Sequence, residues 1–299
     1  MSEQETKKAD TSPTTATDDA AASESAAAEQ TPSSEQAPAT EQVAGATESG
    51  ADAPQPAEHD NAELDPNTGW LPLESNPAVV NPFAHAMGLP KEWNFVDVYG
   101  LEQWAFDMIP KPVAAVVLLF PSSQAARDHK LAQHAKIVEN GQTVDPELFY
   151  TTQVDGIGNA CGTIACMHCL LNGGAFFKLS DSALTKFAKS VASLNPLERG
   201  RALLQAQGLR KLSDDTASTE AASTECPEAH VATNAHFIAF VEKGGILFEL
   251  DGRKAFPINH GATTQATFLA DAGEVIKRDF MNVNPNETRF NVMALAKTE

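Results

Sequence analysis

Three of the four cysteines in the chain fall within nine residues, in the stretch "QVDGIGNACGTIACMHCLLNGG" from Gln153 to Gly174. They stand at 161, 166 and 169, and the fourth is distant, at 226. Three chemistries compete for this spacing: a metal or cluster site, disulfides, or one reactive thiol accompanied by two packed ones. Cys-x4-Cys-x2-Cys with a further downstream cysteine is the ligand spacing of plant-type [2Fe–2S] ferredoxins. Those ligands need an irregular loop, whereas the residues between and after these cysteines (Thr, Ile, Ala, Met, His and two leucines) favour a helix. On a helix Cys161 and Cys166 point about 140° apart. A zinc site lacks a second closely spaced pair to complete a tetrahedron. Neither a metal nor a cofactor is therefore expected.

The helical reading runs from Cys161 to a stop at Asn172-Gly173-Gly174, with Ile164, Met167, His168 and Leu171 sharing a face. The Gly-containing "IGNA" before it provides a sharp entry. Cys161 then lies at a helix N-terminus, where unpaired N–H groups and the macrodipole favour a thiolate. Cys166 and Cys169 lie one and two turns deeper, as buried free thiols commonly do.

A nucleophilic Cys161 needs a base and a group to orient it. Of the eight histidines, His59 lies in the N-terminal tail, and His85, His129 and His134 have polar or surface-like contexts. His168 is on the candidate helix and reads as packed, while His230 lies in a long loop. His236 and His260 remain. "HFIAFV" and "ILFEL" read as a hairpin around a four-residue loop, Glu242 to Gly245. Val241 then faces Ile246, and His236 faces Asp251 directly, close enough for the carboxylate to hold an imidazole N–H. A tighter Gly-Gly turn shifts the pairing by two and leaves the pair diagonal on the same face. A surface His–Asp pair fits the same spacing.

Around these residues the chain reads as an α/β or α+β layer fold with a mainly antiparallel sheet. A helix is expected over Pro77 to Met87, capped by Ser75 or Asn76 and stopped at Gly88. "VAAVVLLFP", Val113 to Pro121, has the continuous apolar character of a buried central strand. Gln124 to Gly141 is polar, either a surface helix or an excursion. Helices are also expected over Ser182–Ala192 and Pro196–Gln207, and "RFNVMALA" closes the chain as a strand. Leu212 to Ala235 is a long, low-complexity loop within the domain.

The net charge is −19, unevenly spread. Residues 1–69 carry 15 Asp/Glu against two Lys and lack any aromatic residue. Such a segment buries too little apolar surface to offset its ordering entropy, so it reads as a disordered acidic tail preceding a domain at 70–299. The tail has no apolar core of a secretory signal and is acidic rather than Arg-rich, and no later run is long enough to span a membrane. The acidic balance argues for a basic protein surface as partner rather than nucleic acid. Few, closely spaced cysteines point to a reducing, cytoplasmic or nuclear compartment.

From Trp70 onward the sequence resembles the ubiquitin C-terminal hydrolases (peptidase family C12) of the short, single-domain type. The resemblance is carried by "WLPLESNP", "FVDVYGL", "IPKPVAAVVLLFP", "GNACGTIACMHCLL", "HFIAFVEKGGILFELDGRKAFPINHG" and "RFNVMALA", in family order and spacing. It implies a papain-like α-β-α sandwich with a central antiparallel sheet. It also implies a nucleophile at Cys161, a general base and acid at His236 and an orienting carboxylate at Asp251. The implied activity is cleavage of small or flexible adducts from the C-terminal glycine of ubiquitin, or of NEDD8, through a thioester. The protein is expected to act as a monomer, and the loop 212–235 to cross over the active-site cleft.

One position departs from that pattern. The family glutamine that stabilises the oxyanion lies six residues before the cysteine, where this chain has Asp155. Gln153 lies eight before. We read Asp155-Gly156 as a two-residue insertion that leaves Gln153 as the oxyanion donor. If Asp155 instead faced the oxyanion, the chain would be a ubiquitin-binding or ubiquitin-stabilising protein with weak turnover.

Overall fold

A computed structural model of the chain describes residues 41–43, 69–228, 231 and 233–299. The expected disordered tail therefore lies outside the described residues, save for Gly69 and three residues that depart from the expectation. Glu41–Val43 form a strand (β1) that pairs antiparallel with Gln142–Val144 (β4).

The main sheet is built from Trp93–Asp97 (β2), Val113–Pro121 (β3), Ala235–Lys243 (β5), Ile246–Leu250 (β6), Ile258–Ala262 (β7) and Asn291–Lys297 (β8). Its order is β2-β8-β3-β5-β6-β7, and every neighbouring pair is antiparallel. The strand β3 sits centrally between β8 and β5, as its unbroken run of apolar residues requires: both its faces are covered, so no position has reason to be polar.

The helices are Pro77–Ala86 (α1), Gln103–Asp107 (α2), Gln124–Asn140 (α3), Cys161–Asn172 (α4), Ala183–Ser190 (α5), Pro196–Leu204 (α6), Gln207–Ala217 (α7) and Phe268–Ile276 (α8). On one face of the sheet α1, α4, α5, α6 and α7 pack with Ala115, Val117, Phe237, Ala239, Met293 and Leu295. On the other, α2 and α8 meet Val116, Leu118, Ile238, Phe240 and Ala294. Alternate residues of β3, β5 and β8 serve opposite layers, which is the period-two signature of a strand within a three-layer sandwich. The expected α-β-α architecture is the observed one.

Local sequence explains the helix starts. Asn76 caps α1 by accepting from the Ala78 N–H at 2.9 Å, with Pro77 in the first turn. Asn195 and Glu198 form a reciprocal capping box on α6. The polar α3 buries none of its residues. Several elements were not read from the sequence, among them β1, β4, α2, α7, β7 and α8 with the π turn Lys277–Met281 that follows it. The loop expected over 212–235 begins as helix, because α7 continues to Ala217.

Candidate active site

The helix α4 is buried along nearly its whole length, packed against β5 and β3. Its first residue is Cys161, and the preceding Ala160 offers no side-chain cap. The N–H groups of the first turn thus remain directed outward at the sulfur's own position. Gly162 permits this close approach: a Cβ there would meet the Phe237 ring at 3.3 Å and Leu73 at 3.1 Å. A side chain there would require Leu73 or Phe237 to give way by a few tenths of an ångström.

The hairpin that supplies the partners turns at Gly244 and Gly245, with φ of 60° and 79°. Positive φ at both positions is what a two-residue turn matching strand twist demands. Lys243 accordingly pairs with Ile246 and Val241 with Phe248. The expected four-residue loop, with Val241 facing Ile246, is corrected by two residues because Glu242 and Lys243 extend the strand. His236 and Asp251 are therefore diagonal rather than directly opposed. They meet nonetheless: Asp251 follows the end of β6 and its Oδ1 lies 2.5 Å from His236 Nε2. The same oxygen accepts from the Arg253 N–H at 2.9 Å.

With Nε2 taken by the carboxylate, the imidazole has only Nδ1 left for the thiol. Nδ1 is buried and makes no well-formed hydrogen bond, the loose geometry common in a resting site. The electrostatics show which group it serves. Burial acts to raise the Cys161 thiol, but its contact with His236 and the imidazole's charge, aided by Arg253 and the Phe237 N–H, bring it below the ordinary value. For His236, burial favours the neutral ring, yet Asp251 prevails and raises it. Asp251 itself, despite burial, is held far below the usual carboxylate range, first by His236 and then by Lys254 and Lys130. The two shifts run toward each other, the thiol down and the imidazole up, which is the direction that favours a thiolate beside an imidazolium backed by a carboxylate.

Gln153 is 3% exposed, while Asp155 is exposed to solvent. Asp155 and Gly156 form a turn, with Gly156 at φ 82°. The backbone N–H of Gln153 donates to Gly252 at 2.7 Å, and its side-chain Nε2 donates to the Gly158 carbonyl at 2.8 Å. Its Oε1 is buried without a partner.

The remaining sulfurs and histidines are accounted for otherwise. Cys166 and Cys169 are buried, free and pushed up, Cys166 to about 12, by loss of solvation. Cys161, Cys166 and Cys169 lie on one regular helix rather than the open loop an iron–sulfur cluster requires, and no group of three metal-ligating side chains occurs among the described residues. Cys226 is half-buried, with Sγ 3.9 Å from the Pro72 carbonyl. His168 accepts from the Thr151 N–H at 3.1 Å and stacks on Tyr150, a packed residue as expected. His260 is bound to Glu249 at 2.9 Å. His85 contacts the Trp93 carbonyl, His129 approaches Asp279 and His134 stacks on Phe256. His59 and His230 lie outside the described residues.

Two supporting residues escaped the sequence reading. The Tyr150 hydroxyl lies 2.5 Å from the Asp251 carbonyl and 2.7 Å from that of Lys254, fastening the turn that carries the carboxylate. Asn159, two residues before Cys161, donates to the Val231 carbonyl at 2.9 Å and so ties the 212–235 segment to the site. Neither has a short-range signal: both act on residues more than seventy positions away.

Residues 70–281 match the model of the peptidase C12 family, ubiquitin carboxyl-terminal hydrolase, family 1. A ubiquitin carboxyl-terminal hydrolase of Drosophila melanogaster is 41% identical over 77% of this chain and 98% of its own length. The human ubiquitin carboxyl-terminal hydrolase isozyme L1 is 34% identical over 76% and 97%. Among solved structures, the catalytic domain of Trichinella spiralis UCH37 bound to ubiquitin vinyl methyl ester superposes with a TM-score of 0.56. It is 22% identical, over 76% of this chain and 95% of that one.

Proposed function

Because the chain belongs to the ubiquitin carboxyl-terminal hydrolase family and is a thiol peptidase, we propose that it hydrolyses adducts joined to the C-terminal glycine of ubiquitin, or of NEDD8, by way of a thioester on Cys161. The observation that carries this reading is the convergence of Cys161, His236 and Asp251, which three separate elements deliver to one buried point.

The steps follow from the side chains. The Cys161 thiolate attacks the glycine carbonyl, and the tetrahedral oxyanion is met by the uncapped N–H groups at the start of α4 and by Gln153. An amide has two N–H bonds, and Gln153 uses one on Gly158. As the carbon–heteroatom bond breaks, the imidazolium of His236 gives its proton to the leaving group and the thioester remains. His236 then takes a proton from water as the water oxygen attacks. Collapse of the second tetrahedral intermediate breaks the C–S bond and releases the carboxylic acid, which loses its remaining proton to solvent, and the thiolate–imidazolium pair. Throughout, Asp251 keeps Nε2 protonated and Nδ1 facing the sulfur.

The exposure of Asp155 and burial of Gln153 favour turnover over a purely ubiquitin-binding role. Residues 212–235 act in this reading as a size filter across the cleft, anchored by Asn159 on Val231 and by Glu74, which accepts from the Ser223 and Thr224 N–H groups. We assign the enzyme to a reducing, cytoplasmic or nuclear compartment, acting as a monomer.

The test is covalent capture. Incubated with ubiquitin bearing a C-terminal vinyl ester electrophile, the full chain should gain the mass of one ubiquitin. The Cys161→Ala variant should bind ubiquitin and form no adduct. Absence of adduct with the native chain, or adduct on another cysteine, overturns the proposal.

A further inference from the structure

Behind the catalytic couple lies a second buried charge cluster that the mechanism above does not use. Glu249 is fully buried on β6, two residues before Asp251. Its Oε1 forms a very short ion pair with Lys254 Nζ, itself 7% exposed, and its Oε2 is 2.9 Å from His260 Nε2. The Lys254 ammonium also donates to Gln133 Oε1 on α3 at 2.6 Å. A lysine so placed is unusual, and a buried ion pair is seldom retained for stability, since apolar residues of similar volume do as well or better.

The backbone of Lys254 indicates what the cluster holds. Its N–H donates to the Asp251 carbonyl at 2.8 Å, closing the turn Asp251-Gly252-Arg253-Lys254, and its own carbonyl receives the Tyr150 hydroxyl. The turn is thus gripped from both sides: by Tyr150 on the face of α4, and by the Lys254 side chain reaching into Glu249 and α3. We propose that Lys254 is a positioning residue for the hydrolysis, its buried ammonium clamped between Glu249 and Gln133 so that the 251–254 turn aims the Asp251 carboxylate at His236.

The clamp makes a geometric demand that packing alone does not. Asp251 follows the last residue of β6 and has no ladder partner of its own. Its aim depends on the turn rather than on the sheet. A misplacement of about an ångström in a catalytic constellation costs up to about 10²-fold. Lys254 also adds positive charge that helps keep Asp251 ionised, alongside His236 and Lys130.

The test uses three full-chain variants: Lys254→Arg, Lys254→Met, and the double replacement Lys254→Met with Glu249→Leu, which removes the carboxylate along with the ammonium should the single variant fail to fold. Two readouts are followed. One is turnover of a ubiquitin C-terminal fluorogenic amide, which rests on the function proposed above. The other is the pH dependence of Cys161 alkylation by iodoacetamide, which does not. Lys254→Met and the double variant should lose about 10- to 100-fold in kcat with KM changed less than about twofold, and Lys254→Arg should recover most of the loss. The acid limb of alkylation should move to higher pH in both apolar variants, because a misaimed Asp251 weakens the imidazolium that stabilises the thiolate. A folded double variant with native kcat and a native alkylation limb overturns the proposal, as does failure of Lys254→Arg to recover either. A native chain inert toward the ubiquitin amide, with the alkylation limb still shifted in the two apolar variants, would sink the proposed function and leave the clamp standing.

Discussion

The two ends of α4 carry chemically identical groups with opposite fates. Cys161 and Cys166 are 4% and 3% exposed, and Cys169 is fully buried. Burial alone therefore predicts three inert thiols, each driven up by lost solvation. Only at Cys161 is that trend reversed, because the helix end meets the imidazole of His236, the Arg253 charge and the Phe237 N–H. At Cys166 nothing offsets desolvation. The direction of the shift here follows what the sulfur faces rather than its depth, and five residues of helix separate a sulfur that meets an imidazole from one packed in the core.

The most drastic way to break the contrast is to remove each sulfur in turn. Cys161→Ala should lower turnover by about 10⁴-fold or more, as removal of a nucleophile that acts as a unit with its base does. Cys166→Ala should leave kcat within about twofold. Steady-state assays on the two variants check this, and comparable losses would refute the division of roles. At neutral pH the native chain should alkylate at Cys161 first, since a thiol near 12 is ionised in only about one molecule in 10⁵ at pH 7.

A smaller effect sharpens the picture at the nucleophile's own end. Gln153→Ala should reduce kcat by about 10²–10³-fold with little change in KM, the signature of a lost oxyanion donor. Replacing exposed Asp155 by Asn should change neither. The reverse outcome would mean that the turn at Asp155-Gly156 does not accommodate the extra residues in the way assigned to it.

This pair of positions also shows what the sequence could and could not convey. The placement of Cys161 at the start of its helix and the meeting of His236 with Asp251 were legible because each depends on local pattern: an apolar helical run ending in Asn172-Gly173-Gly174, and two short strands separated by a loop containing glycines. The length of that loop was not, since Glu242 and Lys243 are polar enough to read as turn and yet extend β5 to Lys243. The conclusion survived because a two-residue shift preserves the face of a strand. The helix α8 was not read, although Thr264 and Thr267 exchange side-chain bonds with each other's backbone N–H just before it. Lys254 escaped because a lysine in "DGRKAF" reads as solvent-facing by default, and only tertiary packing against α3 buries it. Glu41–Val43 gave no signal, their partner strand β4 lying about a hundred residues away.

The deeper part of α4 yields a prediction about stability rather than rate. His168 is wholly buried against Tyr150, and burial lowers its pKa to about 4 from about 6.5. A depressed folded pKa means that the unfolded chain binds the extra proton first as pH falls. The stability that the neutral ring contributes is thus complete above about pH 6.5 and is lost between there and about pH 4, by about 3 kcal/mol at most. His236, with its raised pKa, works in the opposite direction, so the comparison must be made against a variant. Urea midpoints taken at pH 7 and pH 4.5 should fall more steeply for the native chain than for His168→Gln, whose amide can still accept the Thr151 N–H. Equal slopes would mean that the ring protonates in place.

The smallest expected effect belongs to Cys169. Replacing it by alanine removes one sulfur from a fully packed site and should destabilise the fold by about 1–2 kcal/mol through lost contacts and an unfilled cavity. Because its thiol does not ionise near neutrality, that loss should be independent of pH from 6 to 8. The alkylation profile of Cys161 should remain superimposable on the native one, since eight residues, somewhat more than two turns of rigid helix, separate the two sulfurs. A shifted profile would show that the buried thiols couple electrically to the nucleophile, and the two ends of the helix would then have to be treated as one titrating unit.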